Sequence, residues 1–297
     1  MSALPTPPGR LIDIGGYCLH LWCQGSGSPA VILDSGLAGN SLMWACALPL
    51  ISRQTQACAF DRAGYAWSDP APDGVPRTSL QIVHELRIAL AGAGVPPPYI
   101  LVGHSLGAIN MLVFAYNFPS EVAGLILVDP SHPEMMERVP GVPSAEAMQR
   151  SYGVLTSLGR IGLMRWLGPL LLKRLLPRGK QVMPPEVWHA LNAFVSRPND
   201  YLTASQEASF GPQSFAQARG APGSLGSLPI EVLRSERWVS GKITPMKQVA
   251  AQLHTELAEL SSRGRLDTVS HCDHADLPVV RPDAIADSVQ HILNKTK

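Results

Sequence analysis

The stretch Tyr99–Ala108, YILVGHSLGA, carries four apolar, strand-prone residues into Gly103-His104-Ser105-Leu106-Gly107, and the following INMLVFAYNF has helical texture. A serine hydroxyl is a weak nucleophile and must stand clear of the backbone where a base can take its proton. A sharp strand-to-helix turn achieves that, at the cost of unusual dihedrals and a close strand–helix approach that calls for small residues at positions 103 and 107. A Gly-x-Ser-x-Gly pattern arises by chance on the order of 0.1 times in a chain this long. The strand before it and the helix after it give the pattern its weight.

Outward from this turn, strand-length apolar runs alternate with helix-length segments. That alternation predicts an α/β protein with a mostly parallel sheet covered on both faces. RLIDIGG and YCLHLWCQG, joined through Gly15-Gly16, read as a hairpin. AVILDSG, QACAFDRAG, YILVGHS and GLILVDPSHPE follow as strands, with the helix TSLQIVHELRIALAGAG among them. Runs such as LILV and YILV lack strict alternation, as expected of strands buried on both faces. From about Ser131 to Leu228 the pattern is helical and broken by Pro and Gly, and strands return with IEVLRS and RLDTVSH. The expected organisation is therefore a core of residues 1–130 and 229–297, interrupted by a helical cap, 131–228. No internal repeat is present.

With 297 residues and a formal net charge of +1, the chain has the composition of a globular protein and no electrostatic reason to bind nucleic acid. MSALPTPPGR lacks a charged start followed by an apolar segment, so no export signal is read. Five cysteines, an odd number without CxxC or Cys/His zinc spacing, predict free buried thiols and a cytoplasmic setting. No metal or organic cofactor is expected. No feature of the sequence sets an oligomeric state.

The turn at Ser105 resembles the nucleophile elbow of the α/β-hydrolase superfamily. DRAGYAWSDP (Asp61–Pro70) is similar to that superfamily's D-R-x-G-x-G-x-S-D loop, with Ala66 in place of the second glycine. The resemblance covers nearly the whole chain and implies an α/β-hydrolase fold with an inserted cap, and a serine esterase or lipase-like activity. It makes Ser105 the nucleophile. It assigns one oxyanion-hole amide to Leu106, directly after the serine, and the other to Leu37 in LDSGLAGN, where Ser35 stands at the usual histidine. The base is expected after the last strand, in DTVSHCDHADLP. His271 is preferred over His274 because it follows the strand directly and lies seven residues before Pro278, the family's usual spacing. The acid departs from the pattern. Its usual position, in the loop that follows the strand IEVLRS, is occupied by Trp238, with Glu236 two residues early, so Asp129 at the end of GLILVD is preferred over Glu236.

The resemblance thus implies cleavage of carboxylic esters through an acyl-enzyme, with a small hydrophobic ester as substrate. C–C or amide hydrolysis and acyl transfer on the same residues, or a non-catalytic ligand-sensing member of the fold, are the alternatives. Epoxide hydrolase and haloalkane dehalogenase chemistry needs an aspartate at the elbow. In the insertion, Leu158, Ile161, Met164, Trp166, Leu170, Leu171 and Leu175 predict a hydrophobic pocket. The interleaved Arg160, Arg165, Lys173, Arg174, Arg178 and Lys180 read as the solvated face of a packed cap, with membrane contact as the second reading.

Overall fold

The computed structural model describes residues 5–296; the reading of the first four residues, as part of a start without an export signal, lies outside them. Among the described residues eight strands form one sheet: β1 (Arg10–Asp13), β2 (Cys18–Gln24), β3 (Ala30–Asp34), β4 (Ala57–Phe60), β5 (Tyr99–His104), β6 (Val122–Val128), β7 (Ile230–Ser235) and β8 (Gly264–Val269). Their order is β1-β2-β4-β3-β5-β6-β7-β8. The hairpin β1–β2 pairs antiparallel within itself and onto β4, and every other pairing is parallel. The longer helices are α1 (Ser79–Ala93), α2 (Leu106–Asn117), α3 (Ala145–Arg160), α4 (Met164–Leu175), α5 (Pro185–Phe194), α6 (Pro198–Ser209), α7 (Gly211–Gln217), α8 (Pro245–Ala258) and α9 (Pro282–Thr296).

The central strands carry unbroken apolar runs because both faces are covered. Ile32, Leu101, Leu125 and Leu127 pack with Leu86 and Leu90 of α1 and with Ile109 and Leu112 of α2. Their neighbours in sequence, Val31, Leu33, Ile100, Val102 and Ile126, point the other way, onto Trp44, Leu48 and the α9 residues Ile285, Val289 and Ile292. The two-residue period of a strand thus feeds two cores from one run.

Helices α3 to α7 all lie between β6 and β7. They carry an apolar cluster of their own, in which Leu172, Met183, Trp188, Leu191 and Phe194 pack onto Leu42, Ala45 and Val279 of the core. The cysteine expectation is corrected. Cys23 and Cys58 are directly opposite in the β2–β4 register and form a disulfide, which leaves Cys18, Cys46 and Cys272 free. Such a bond belongs to an oxidising setting more than to a reduced cytoplasm. Among the described residues, no helix is long and apolar enough to cross a membrane.

Candidate active site

The turn after β5 is as tight as its sequence demands. Ser105 has φ 52° and ψ −119°, a conformation that side chains rarely adopt, between β5 and the start of α2. A Cβ on Gly107 would lie 2.4 Å from the Asp34 carbonyl oxygen, and one on Gly103 would lie 2.5 Å from the backbone of Gly107 and Ala108. Only glycine lets strand and helix approach this closely. The Ser105 amide donates to the Val128 carbonyl and the Ser105 carbonyl accepts from Ser131, which ties the turn to the end of β6.

Three side chains meet here. His274 Nε2 lies 3.1 Å from Ser105 Oγ, and His274 Nδ1 lies 2.7 Å from Asp129 Oδ2. Asp129, just past β6, is fully buried and has φ 40°. Burial alone would raise its carboxyl. The hydrogen bond and charge of His274, with His254 and the Ser235 amide, outweigh burial and hold it well below the usual carboxylate range. An ionised carboxylate only accepts, so the imidazole proton sits on Nδ1 and Nε2 is left to accept the serine hydroxyl.

His271 is not part of this arrangement, which corrects the choice of base. It lies in an exposed turn with φ 60°, its amide donating to Glu236 Oε1 at 2.6 Å and its carbonyl accepting from Arg178 Nη1 at 2.7 Å. Beyond it the loop folds back on itself. Asp273 N–H donates to Asp276 Oδ1, Leu277 N–H donates to the Asp273 carbonyl, and His274 is carried inward. The spacing argument used the wrong proline: Pro278 belongs to a short helical turn, Leu277–Val280, and the final helix starts four residues later at Pro282. Glu236, the alternative acid, is taken up by the His271 amide.

Two residues contribute that sequence reasoning missed. Trp238, in the usual place of the acid, donates its indole N–H to both Asp129 oxygens, and the Ser235 amide donates to Oδ1 at 2.7 Å. His104 is buried, lies with its ring centroid 5.0 Å from that of His274 and donates Nε2–H to the His274 carbonyl at 2.8 Å. Burial, with the charge of His274 second, pushes His104 down to about 3, so it stays neutral. The signal for Trp238 was its place in the acid's position; His104 had none beyond adjacency to the serine.

The oxyanion-hole candidates sit beside the serine. Leu106 opens α2, and a helix leaves its first amides without intrahelical partners. The loop carrying Leu37 touches Ser105, since a Cβ on Gly36 would lie 3.1 Å from Ser105 Cβ. Arg62 fixes that loop. It donates to the Ser35 carbonyl at 2.6 Å and to the Gly36 carbonyl at 2.9 Å, and the Gly36 carbonyl shares its peptide plane with the Leu37 amide. The guanidinium is buried between Asp34 at 2.6 Å and Glu207 of α6 at 2.9 Å; Asn110 and Tyr65 hydrogen-bond the two acids in turn.

A cavity of about 190 Å³ opens on Ser105 and His274, walled by Met135, Val139, Val142, Trp238, Met246 and Leu253. The residues expected to line a pocket from α3 and α4 do not reach it: Met164 is buried, and Ile161, Trp166 and Leu170 face outward. Among the described residues, no group of three or more His, Cys, Asp or Glu is placed to hold a metal ion.

Residues 29–151 match the α/β-hydrolase-fold family. The chain has the α/β-hydrolase fold. Over 97% of its length it superposes on 98% of an esterase from Thermogutta terrifontis, with a TM-score of 0.68 and 19% identity. It also superposes, over 97% of its length, on 99% of the epoxide hydrolase CorEH, with a TM-score of 0.70 and 19% identity. In sequence, it is 28% identical over 162 residues to the YbdG protein of Bacillus subtilis, covering 53% of this chain and 49% of that one. The chain spans about half or less of the length of the first curated relatives that it matches.

Proposed function

We propose that this α/β hydrolase is a serine hydrolase that cleaves carboxylic esters of small hydrophobic acyl or alcohol groups. The observation that carries the reading is the continuous contact Ser105 Oγ–His274 Nε2–Asp129 at 3.1 and 2.7 Å. In this reading Ser105 Oγ attacks the ester carbonyl as its proton passes to His274 Nε2, and Asp129 stabilises the imidazolium. The carbonyl oxygen becomes an oxyanion held by the Leu106 and Leu37 amides. The tetrahedral species collapses as His274 returns the proton to the departing alcohol, and water, activated by the same imidazole, releases the acid from Ser105. The cavity is smaller than the usual range of drug-sized pockets and largely apolar, which favours short acyl chains. The residue at the elbow is a serine, so the carboxylate that epoxide opening needs there is missing.

The test is an acyl-chain panel of p-nitrophenyl esters with an anilide counterpart, run alongside fluorophosphonate labelling. Ester turnover that Ser105→Ala reduces about 10⁴-fold or more, together with covalent modification at Ser105, is the expected result. Full turnover in Ser105→Ala would overturn the mechanism, and faster anilide than ester cleavage would overturn the substrate class.

A further inference from the structure

The outward face of α4 has no partner among the described residues. Trp166 is 78% exposed and Leu170 62%, while Met164, Gly168 and Leu172 on the opposite side are buried. Ile161, in the turn before the helix, is 76% exposed, and Leu163 and Leu167 extend the same surface. A packed cap with a merely solvated face does not present this much aliphatic and indole surface to water.

Charge accompanies the patch. Between Glu146 and Glu186 the chain has no acidic residue, in a protein whose net charge is only +1. Arg160, Arg165, Lys173, Arg174 and Lys180 are exposed there and have no carboxylate partner among the described residues. Lys173 follows Trp166 and Leu170 at helical spacing, so the cation lies on the same face one turn further on. Apolar side chains bordered by long cations match an interface in which hydrocarbon lies beneath anionic headgroups.

From this geometry we infer that α4 and the turn before it dock on anionic lipid bilayers, Trp166, Leu170 and Ile161 entering the interface and the surrounding Arg and Lys side chains engaging the headgroups. A second copy of the chain fits poorly, because the patch would bring its own cations face to face. Nucleic acid would leave the indole and leucines unburied. The docked element adjoins the loop of His274, since Arg178 just beyond α4 donates to Asp276 at 2.8 Å and to the His271 carbonyl at 2.7 Å. Lipid binding does not depend on the hydrolase reading, so the two can fail separately.

Co-sedimentation with sucrose-loaded vesicles tests the inference. Vesicles of equal parts phosphatidylcholine and phosphatidylserine should carry the protein down, and phosphatidylcholine alone should not. Trp166→Ser with Leu170→Ser should weaken binding more than about tenfold. Lys173→Gln and Arg174→Gln should weaken it about fivefold each, and all three variants should keep the thermal midpoint of the parent. Absence of binding at low salt, or binding that these variants leave unchanged, would overturn the inference. So would a dimer in lipid-free buffer that the Trp166 variant dissociates, because the patch would then belong to a second copy.

Discussion

The indole N–H of Trp238 lies 3.0 Å from Asp129 Oδ1 and 2.9 Å from Oδ2, so one donor spans both oxygens of the buried carboxylate. Together with the Ser235 amide it leaves the lone pair that faces His274 as the one committed to the histidine. Trp238→Phe removes this donor while keeping an aromatic ring at the position. The expected result is a fall in kcat of about tenfold, against about 10⁴-fold for Asp129→Asn, with KM nearly constant in both. A Trp238→Phe enzyme with parental kcat would show that the second donor is dispensable.

The two histidines of the last loop separate in one experiment. His274→Ala should lower kcat by about four to six orders of magnitude, because the base and its proton return are both lost. His271→Ala removes an exposed ring whose backbone makes the contacts, and should change kcat less than about threefold. The reverse ranking would restore His271 as the base.

Glu207→Gln should act on the reaction from a helix of the insertion. Removing one partner of a buried ion pair costs about 3 kcal/mol or more, and Arg62 would then hold the Gly36–Leu37 peptide less firmly. A drop in kcat of about tenfold with little change in KM is expected from the proposed role of that peptide's amide, which would act only on the transition state. A purely structural role would lower the thermal midpoint and leave kcat per folded molecule intact.

Acid should expose the neutrality of His104. Its value is pushed down to about 3 in the fold, from an ordinary 6.5. Between those limits the unfolded chain holds a proton that the folded one does not, so the stability contributed by neutral burial shrinks as pH falls through this window. The slope reaches about 1.4 kcal/mol per pH unit. Asp200, held up to about 7 by burial, works in the opposite sense, so the readout is the stability difference between the parent and His104→Gln across pH. A difference that stays flat from neutral pH down to acid would contradict the assignment.

Thiol counting checks the disulfide. A sample denatured without reductant should yield three reactive thiols per chain, those of Cys18, Cys46 and Cys272, and five after reduction. Five without reduction would remove the bond.

What the sequence made legible was local. The strand, turn and helix around Ser105 are written within about twenty consecutive residues, and the glycine spacing follows from one close approach. The choice between His271 and His274 is not local. It depends on how the loop after β8 is held, by Glu236 on one side and Arg178 from the insertion on the other, and both lie far away in sequence. The Cys23–Cys58 bond was invisible for the same reason, since it needs the β2–β4 register. Trp238 looked like a defect in the acid position, and it became intelligible only once Asp129 was seen beneath it.

The salt bridge from Glu207 to Arg62 makes the insertion a structural dependency of the sheet that hosts it. A grafting experiment that exchanged residues 131–228 for helices of another protein would import a new cavity wall and strand a cation beneath the loop that neighbours Ser105, unless the transplant supplied its own anion at the same depth. Evolution faces the same coupling: specificity can drift where the inserted segment only lines the cavity, while the contacts that reach the core, Glu207 to Arg62, Asp200 to the Ala66 amide and Arg178 to the loop of His274, have to be inherited with it.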